Sequence, residues 1–326
     1  MGWVILGMKN IFIPKLIRKT AVYTLLTLIL FTSCKKNETG IPAPLKKLPG
    51  TIYFQWADEG IFSIDMASGS KSTLLPYNVK RNGWDVSRDN KYLLQITDAP
   101  DQDYDASQFT ITNLSDRSIV SQYKYYPQGG SIVNASLSPN GKLIAVDPTF
   151  KEGIVVTDLQ GKRIAHIAAV NDEKVEGNPI WMPDNTVLFK HKDMLLKANS
   201  DFTNADIIKK LDFADWGMPA VSPDGKKIAF KASNHIWLMN SDGSDMKQIT
   251  VSSAVETYPQ FSPDSKYLLI GTDYHVTGPF GSIWYLKIIP ADGRQYQVDD
   301  GSESEGVIPV QLEKQLEAAD EAMRWR

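Results

Sequence analysis

Four histidines, one cysteine and a knot of carboxylates are the residues of this 326-residue chain best suited to chemistry. His166, His191, His235 and His275 stand far apart. None has a second His or a Glu at the spacing that lets one helix face hold zinc, and no HExxH pattern occurs. No GxSxG turn is present to expose a serine, and no nucleophile–His–acid order can be assembled. Asp98, Asp101, Asp103 and Asp105 crowd into Thr97–Ser107, where spaced carboxylates could surround calcium. Ala106 stands where such a loop needs Gly for its sharp turn, and no Glu closes it at the twelfth position. A solvated acidic loop is expected instead. Phosphate-binding loops and dinucleotide fingerprints are also absent. The expectation is a chain with no catalytic residue, no metal site and no cofactor. Asn234 and His235 stand at a strand entrance, where a hydrogen-bonded structural role is expected.

Charge narrows the partners. The formal net charge is −3, and no Lys/Arg cluster occurs that could neutralise a run of phosphates, so nucleic acid is not an expected partner. The single cysteine, Cys34, excludes an intramolecular disulfide and a Cys-rich metal site. It follows Lys15, Arg18 and Lys19, then the apolar run Ala21–Phe31, then Thr32 and Ser33. That run is shorter than the ~20 residues needed to span a bilayer, so it reads as the apolar region of a signal peptide, with Met8 an alternative start. Phe-Thr-Ser-Cys resembles the lipobox of bacterial lipoproteins, with Phe31 in place of the usual Leu. The resemblance implies cleavage before Cys34 and lipid attachment to it; an ordinary secretory signal is the alternative. Loss of the four cations of residues 1–33, which hold no acid, takes the charge from −3 to −7. The polar, Pro-rich segment after Cys34 reads as a tether. Three parts are therefore expected: signal peptide 1–33, tether 34–49 and a folded domain 50–326. Lys36 is not the Asp that retains lipoproteins in the inner membrane of well-studied Gram-negative bacteria. An outer-membrane location is expected, facing either periplasm or medium.

The folded part repeats. Gly83–Leu94, Ala135–Val146, Pro179–Phe189, Pro219–Phe230 and Pro259–Ile270 carry the same phrase, anchored on Val86, Leu137, Trp181, Val221 and Phe261. A period of about 40–50 residues with several short strands in each unit is that of propeller blades. One unit is clear in Pro219–Thr250: a short strand, a Pro-Asp-Gly turn, strands over Lys226–Phe230 and His235–Asn240, a second Asp-Gly turn and an outer strand. Such a sheet cannot cover both of its faces alone and needs neighbours.

Ser222–Thr250 resembles the TolB-like propeller repeat closely, and the other four units do so with Arg88, Asn140, Met182 and Ser265 replacing its Pro, Asp, Ser and Gly. The resemblance implies an all-β fold, a six-bladed β-propeller of four-stranded antiparallel blades. Gly50–Phe54, Gly60–Met66 and Ser72–Leu75 supply three strands of a first blade, and Trp325 falls where Phe261 and Trp181 fall in their repeats. The segment Met323–Arg326 is therefore expected to provide the missing inner strand as a clasp. Ahead of it, Leu312, Leu316, Ala319 and Met323 lie at helical spacing, which predicts a short helix over Val310–Met323.

In such a ring the loops between strands two and three share one face with the connections between blades. That face is expected to carry an aromatic partner-binding surface made of Trp56, Trp84, Tyr125, Tyr126, Trp216, Tyr274 and His275. Packing of these rings between blades is the structural alternative. The TolB resemblance implies an envelope role, because that family's propeller binds a lipoprotein partner in the periplasm. TolB has an extra N-terminal α/β domain where this chain has only the tether. A hydrolase domain like that of prolyl-oligopeptidase-like peptidases is not expected after blade six. A monomeric, non-catalytic module binding an envelope protein is expected. Glycan or small-ligand binding at the central mouth is a second possibility, and a metal-dependent propeller lactonase or lyase a third.

Overall fold

Short alternating strands separated by Asp-, Asn- and Gly-bearing turns cannot close a core within one sheet, and here six sheets share the task. The computed structural model describes residues 45–56, 59–130, 133–278, 281–319 and 323–326. Blade one is built from Arg324–Trp325, Thr51–Trp56, Gly60–Asp65 and Lys71–Pro76, in that spatial order. Blade two holds Arg81–Val86, Tyr92–Asp98, Ser107–Asn113 and Ile119–Tyr125. Blade three holds Ala135–Leu137, Leu143–Val146, Ile154–Asp158 and Arg163–Ile167. Blade four holds Ile180–Trp181, Val187–His191, Met194–Ala198 and Ala205–Lys210, and blade five Trp216–Val221, Lys227–Ala232, His235–Asn240 and Lys247–Gln248. Blade six holds Thr257–Phe261, Tyr267–Thr277, Gly281–Pro290 and Ile308–Pro309, and Glu317–Ala319 adds a second partner to its third strand. All pairing within blades is antiparallel.

The repeated phrase has a chemical cause. In four of the turns a buried serine closes the corner: Ser87, Ser138, Ser222 and Ser262. Each hydroxyl donates to the Asp or Asn two residues on, as in Ser222 Oγ to Asp224 Oδ1 at 2.6 Å. Each also accepts the N–H that begins the next strand, as from Lys227 at 2.9 Å. The corner then needs a left-handed residue, supplied by Asn90, Gly141, Asn185, Gly225 and Ser265. Some of these side chains join neighbouring turns, since Asn185 Oδ1 accepts from the Asn140 N–H and Ser265 Oγ from the Asp224 N–H. Ser222→Ala is expected to lower stability by about 1–2 kcal/mol in urea unfolding, because a buried N–H and the Asp224 carboxylate each lose a partner.

Six apolar clusters fill the six gaps between blades. Tyr53, Ile61, Trp84 and Leu93 join blades one and two, and Leu94, Phe109, Leu137 and Val155 join two and three. Val156, Trp181 and Phe189 join three and four, Leu188, Trp216 and Phe230 four and five, and Ile236, Phe261 and Ile270 five and six. The sixth cluster closes the ring: Ile52, Phe54 and Ile64 of blade one meet Trp284, Leu286 and Ile288 of blade six, with Met323 and Trp325 among them.

The clasp forms as expected. Ile52 pairs with Trp325 and Tyr53 with Arg324, and the Thr51 and Arg326 backbones exchange hydrogen bonds. Trp325 Nε1 donates to the Pro49 carbonyl at 2.7 Å. Packing begins ahead of the boundary expected at Gly50, for Leu45 and Leu48 are buried in the closing cluster, so the tether reading does not extend to them. Residues 1–44, with the signal peptide and Cys34, lie outside the described residues.

The helix expected over Val310–Met323 does not form in its described part, Val310–Ala319. Its apolar residues are buried as the spacing suggested, but from an extended, folded-back path. The Leu286 carbonyl accepts from the Val310 N–H, and the Leu286 N–H donates to Leu316, so this segment continues blade six rather than satisfying its own backbone. Residues 320–322 lie outside the described residues, in which Leu45–Lys47 forms a 3-10 turn.

Candidate functional site

The six innermost strands line a central channel of about 730 Å³. The residue just before each anchor lines it in every blade: Asp85, Ser136, Ile180, Ala220, Gln260 and Arg324. The wall is unequal. Blades four and five contribute Ile180, Met218, Ala220 and Val221, whereas the side of blades one and two carries Asp85, Arg88, Arg324 and Arg326. Asp85 is almost fully buried and accepts from Arg324 Nε at 2.8 Å, Arg326 Nη2 at 3.3 Å and the Leu137 N–H at 2.8 Å. Arg326 Nε donates to the Val86 carbonyl at 2.8 Å, and Arg324 lies 5.5 Å from the Trp84 ring centre. Burial lowers the pKa of Arg326, an effect the Asp85 charge opposes. Arg88 stands where the turns of blades three, five and six place Pro139, Pro223 and Pro263. Its Nη1 is buried without a hydrogen-bond partner among the described residues. Burial first, and then the neighbouring Arg326 charge, push its pKa down to about 10, so it stays a cation at neutral pH.

The second candidate is the face bearing the strand two–three loops and the connections between blades. Large apolar residues in its loops are open to solvent: Tyr77, Val79, Tyr104, Tyr126 and Phe150, the last at 87 % exposure. Val276 joins them at the tip of the long blade-six hairpin. The other exposed large apolar residues lie mostly on outer strands, such as Ile119, Ile164 and Ile207. Among the described residues none lies in the turns of the opposite face. The loops of blades two and three form one continuous surface. Tyr126 Oη and Lys124 Nζ both donate to Asp103 Oδ2, at 3.0 and 2.9 Å, and Thr149 Oγ1 donates to the Gln128 carbonyl.

The residues expected to form this surface divide. Trp84 and Trp216 are 1 % and 4 % exposed and belong to inter-blade clusters. Trp84 shares a strand face with Val86, both turned toward blade one, and Trp216 packs edge-on against Phe230 with Lys190 Nζ 4.7 Å above its ring. Neither can present a ring to a partner. Tyr125 is buried too, and its hydroxyl donates to Glu152, itself paired with Arg163. Burial, then the Glu152 charge, raise the Tyr125 pKa. Trp56 and Tyr274 are partly buried against the closing cluster, with Tyr274 stacked 6.0 Å from Trp284. Tyr126 and His275 are exposed. Sequence reasoning missed Tyr104, which lies in the loop read as acidic, and Phe150. It also missed the channel arginines, although the replacement of Pro by Arg88 was a visible signal.

The histidines do not converge. His191 is buried 3.6 Å from Glu173, His235 Nδ1 lies 2.8 Å from the buried Glu256, and His166 and His275 occupy other blades. The pairing of His235 with Glu256 fits the structural role expected of it. Among the described residues no three His, Cys, Asp or Glu side chains gather closely enough to hold a metal ion. Asp103 of the acidic loop is engaged by Lys124 and Tyr126, which hold its pKa below the usual carboxylate range.

The ring of six four-stranded units closed by a clasp matches solved propellers. TolB from Acinetobacter baumannii superposes with a TM-score of 0.58 at 17% identity, over 95% of this chain and 71% of that one. The chain has the fold of TolB-like propellers. A TolB-type protein of Agrobacterium tumefaciens gives 0.50 at 17% identity, covering 79% of this chain and 97% of its own. A chain of a nidogen–laminin complex gives 0.55 at 10% identity, over 84% and 98%. No family model matches the sequence.

Proposed function

We propose that this chain is a non-catalytic binding module of the bacterial cell envelope that docks a protein partner on its loop-rich face. The observation that carries the reading is the gathering of Tyr77, Val79, Tyr104, Tyr126 and Phe150 in loops of one face, against none in the turns of the other among the described residues. Exposed aromatic rings beside charged groups are the composition of interface hot spots. The TolB-like fold supports an envelope setting, as does the lipobox-like sequence at Cys34, which would tether the propeller to the outer membrane.

Cross-linking in intact cells followed by purification of the protein tests this reading. Tyr104→Ser combined with Phe150→Ser is expected to remove one partner band, while Ile119→Ser with Ile164→Ser, on the outer rim, leaves it in place. Equal bands from wild type and both variants would count against the face. Binding on a glycan array that Tyr104→Ser and Phe150→Ser abolish would transfer the surface from a protein to a sugar partner.

A further inference from the structure

The exposed apolar residues of the loop-rich face sit on loops that are tied to one another. The Lys80 carbonyl accepts from the Asp98 N–H, Asp103 accepts from Tyr126, and Lys174 donates to the Phe150 carbonyl. Tyr77, Val79, Tyr104, Tyr126 and Phe150 therefore belong to one arc over blades one to three. Most cations of this arc are engaged within it. Lys124 pairs with Asp103 at 2.9 Å, Arg163 pairs with Glu152, and Arg81 donates to the Pro76 carbonyl. Several of its carboxylates are not. Asp101 and Asp105 stand in the Tyr104 loop, and Asp172 and Glu176 stand on either side of Lys174, beside the Phe150 loop. All four are exposed, and among the described residues none makes a hydrogen bond or ion pair through its carboxylate. Lys80 and Lys151 are the exposed cations of the arc that are likewise uncommitted. Charges around an interface select partners of complementary sign, and an aromatic face attracts a cation.

We propose that the partner docked on this arc presents a basic protein surface. Its Arg or Lys side chains meet Asp101, Asp105, Asp172 and Glu176, and its apolar side chains lie on Tyr104 and Phe150. Arginine suits both kinds of contact, because its guanidinium stacks on a ring and bonds a carboxylate. The assignment rests on the docking role proposed above and adds the sign of the partner's charge. The four carboxylates come from two separate loops on either side of the aromatic residues, so they act as a field over the whole arc rather than as one ion site. A partner with an acidic surface meets repulsion from both loops.

Calorimetric titration of the folded protein with a peptide of Arg-Leu-Ser repeats, and with the same peptide carrying Gln or Glu in place of Arg, tests the sign. The Arg peptide is expected to bind about tenfold or more tightly than the Gln peptide, and the Glu peptide most weakly. Its affinity is expected to fall as salt rises, because the charges involved are exposed. Asp101→Asn with Asp105→Asn, and Asp172→Asn with Glu176→Gln, are each expected to weaken the Arg peptide by about threefold or more. Their melting temperatures should not change, since these carboxylates hold no described residue in place. Asp206→Asn with Glu305→Gln, exposed and away from the arc, removes as much charge and is expected to leave the affinity unchanged. Equal binding of the three peptides, or an Arg peptide that binds both arc variants as tightly as wild type, overturns the assignment. In cells, a partner band that Tyr104→Ser with Phe150→Ser removes but both arc variants retain would leave the docking face standing and overturn only the sign of its partner.

Discussion

Deletion of Met323–Arg326 is expected to lower the melting temperature more than any single core substitution, and Trp325→Ala alone by roughly 10 °C. Trp325 is 2 % exposed in the cluster that joins blade six to blade one, and its indole nitrogen donates to Pro49. Truncation of a buried aromatic residue costs about 3–5 kcal/mol, and a domain of this size loses about 2–4 °C per kcal/mol. Full deletion adds three further losses. The Thr51–Trp56 strand gives up its inner partner, Met323 leaves the same cluster, and Asp85 keeps a buried charge after losing Arg324 and Arg326. An unpaired inner edge is also a template for other chains, so the shortened protein is expected to self-associate as it loses stability. Thermal melts by circular dichroism and light scattering read both effects. An unchanged melt would show that closure of the ring contributes little.

Asp85→Ala is the point substitution expected to be most damaging away from the apolar clusters, by about 3–5 kcal/mol. It removes the counter-charge of two partly buried arginines and the acceptor of the buried Leu137 N–H in one step. Asp85→Asn keeps one side-chain oxygen, which can accept either from Leu137 or from the arginines, so it is expected to cost less than Ala. The pairs are shielded from solvent, and high salt should therefore restore little of the loss. Urea unfolding of the three proteins at low and high salt checks the order wild type, Asn, Ala. Equal midpoints for Ala and wild type would show that the arginines relax into water without help from Asp85.

Much of the fold was legible because the turn chemistry is local. Ser222 and Asp224 close their corner through bonds made within six residues, so the phrase survives as sequence. Trp325 could be placed because the anchor position recurs once per blade. The segment Val310–Ala319 was misread because spacing of three and four is also produced when an extended chain folds back on itself. There, the outcome rested on the free backbone groups of Leu286, a partner not visible from the segment's own residues. Of the aromatic residues expected on the loop face, Tyr126 is exposed while Trp84, Tyr125 and Trp216 are buried, because exposure depends on which sheet face a ring leaves from. Trp84 and Asp85 are adjacent in sequence, yet one enters the gap toward blade one and the other the channel. The arginines were hidden for a different reason: Arg88 and Arg326 meet only because the two ends of the ring meet.

That meeting sets the order in which the molecule can assemble. Pro49 and Trp325 are 276 positions apart, while the strands inside blades two to five are joined by short loops. The entropy of closing a loop rises only slowly with length, but contacts so distant in the chain slow folding all the same. Blades two to five can therefore stack in succession as they are synthesised, each on the one before. Blade one waits with three of its strands in hand. Sealing comes as a single late step, and the reverse step, release of the clasp, is where unfolding is expected to begin.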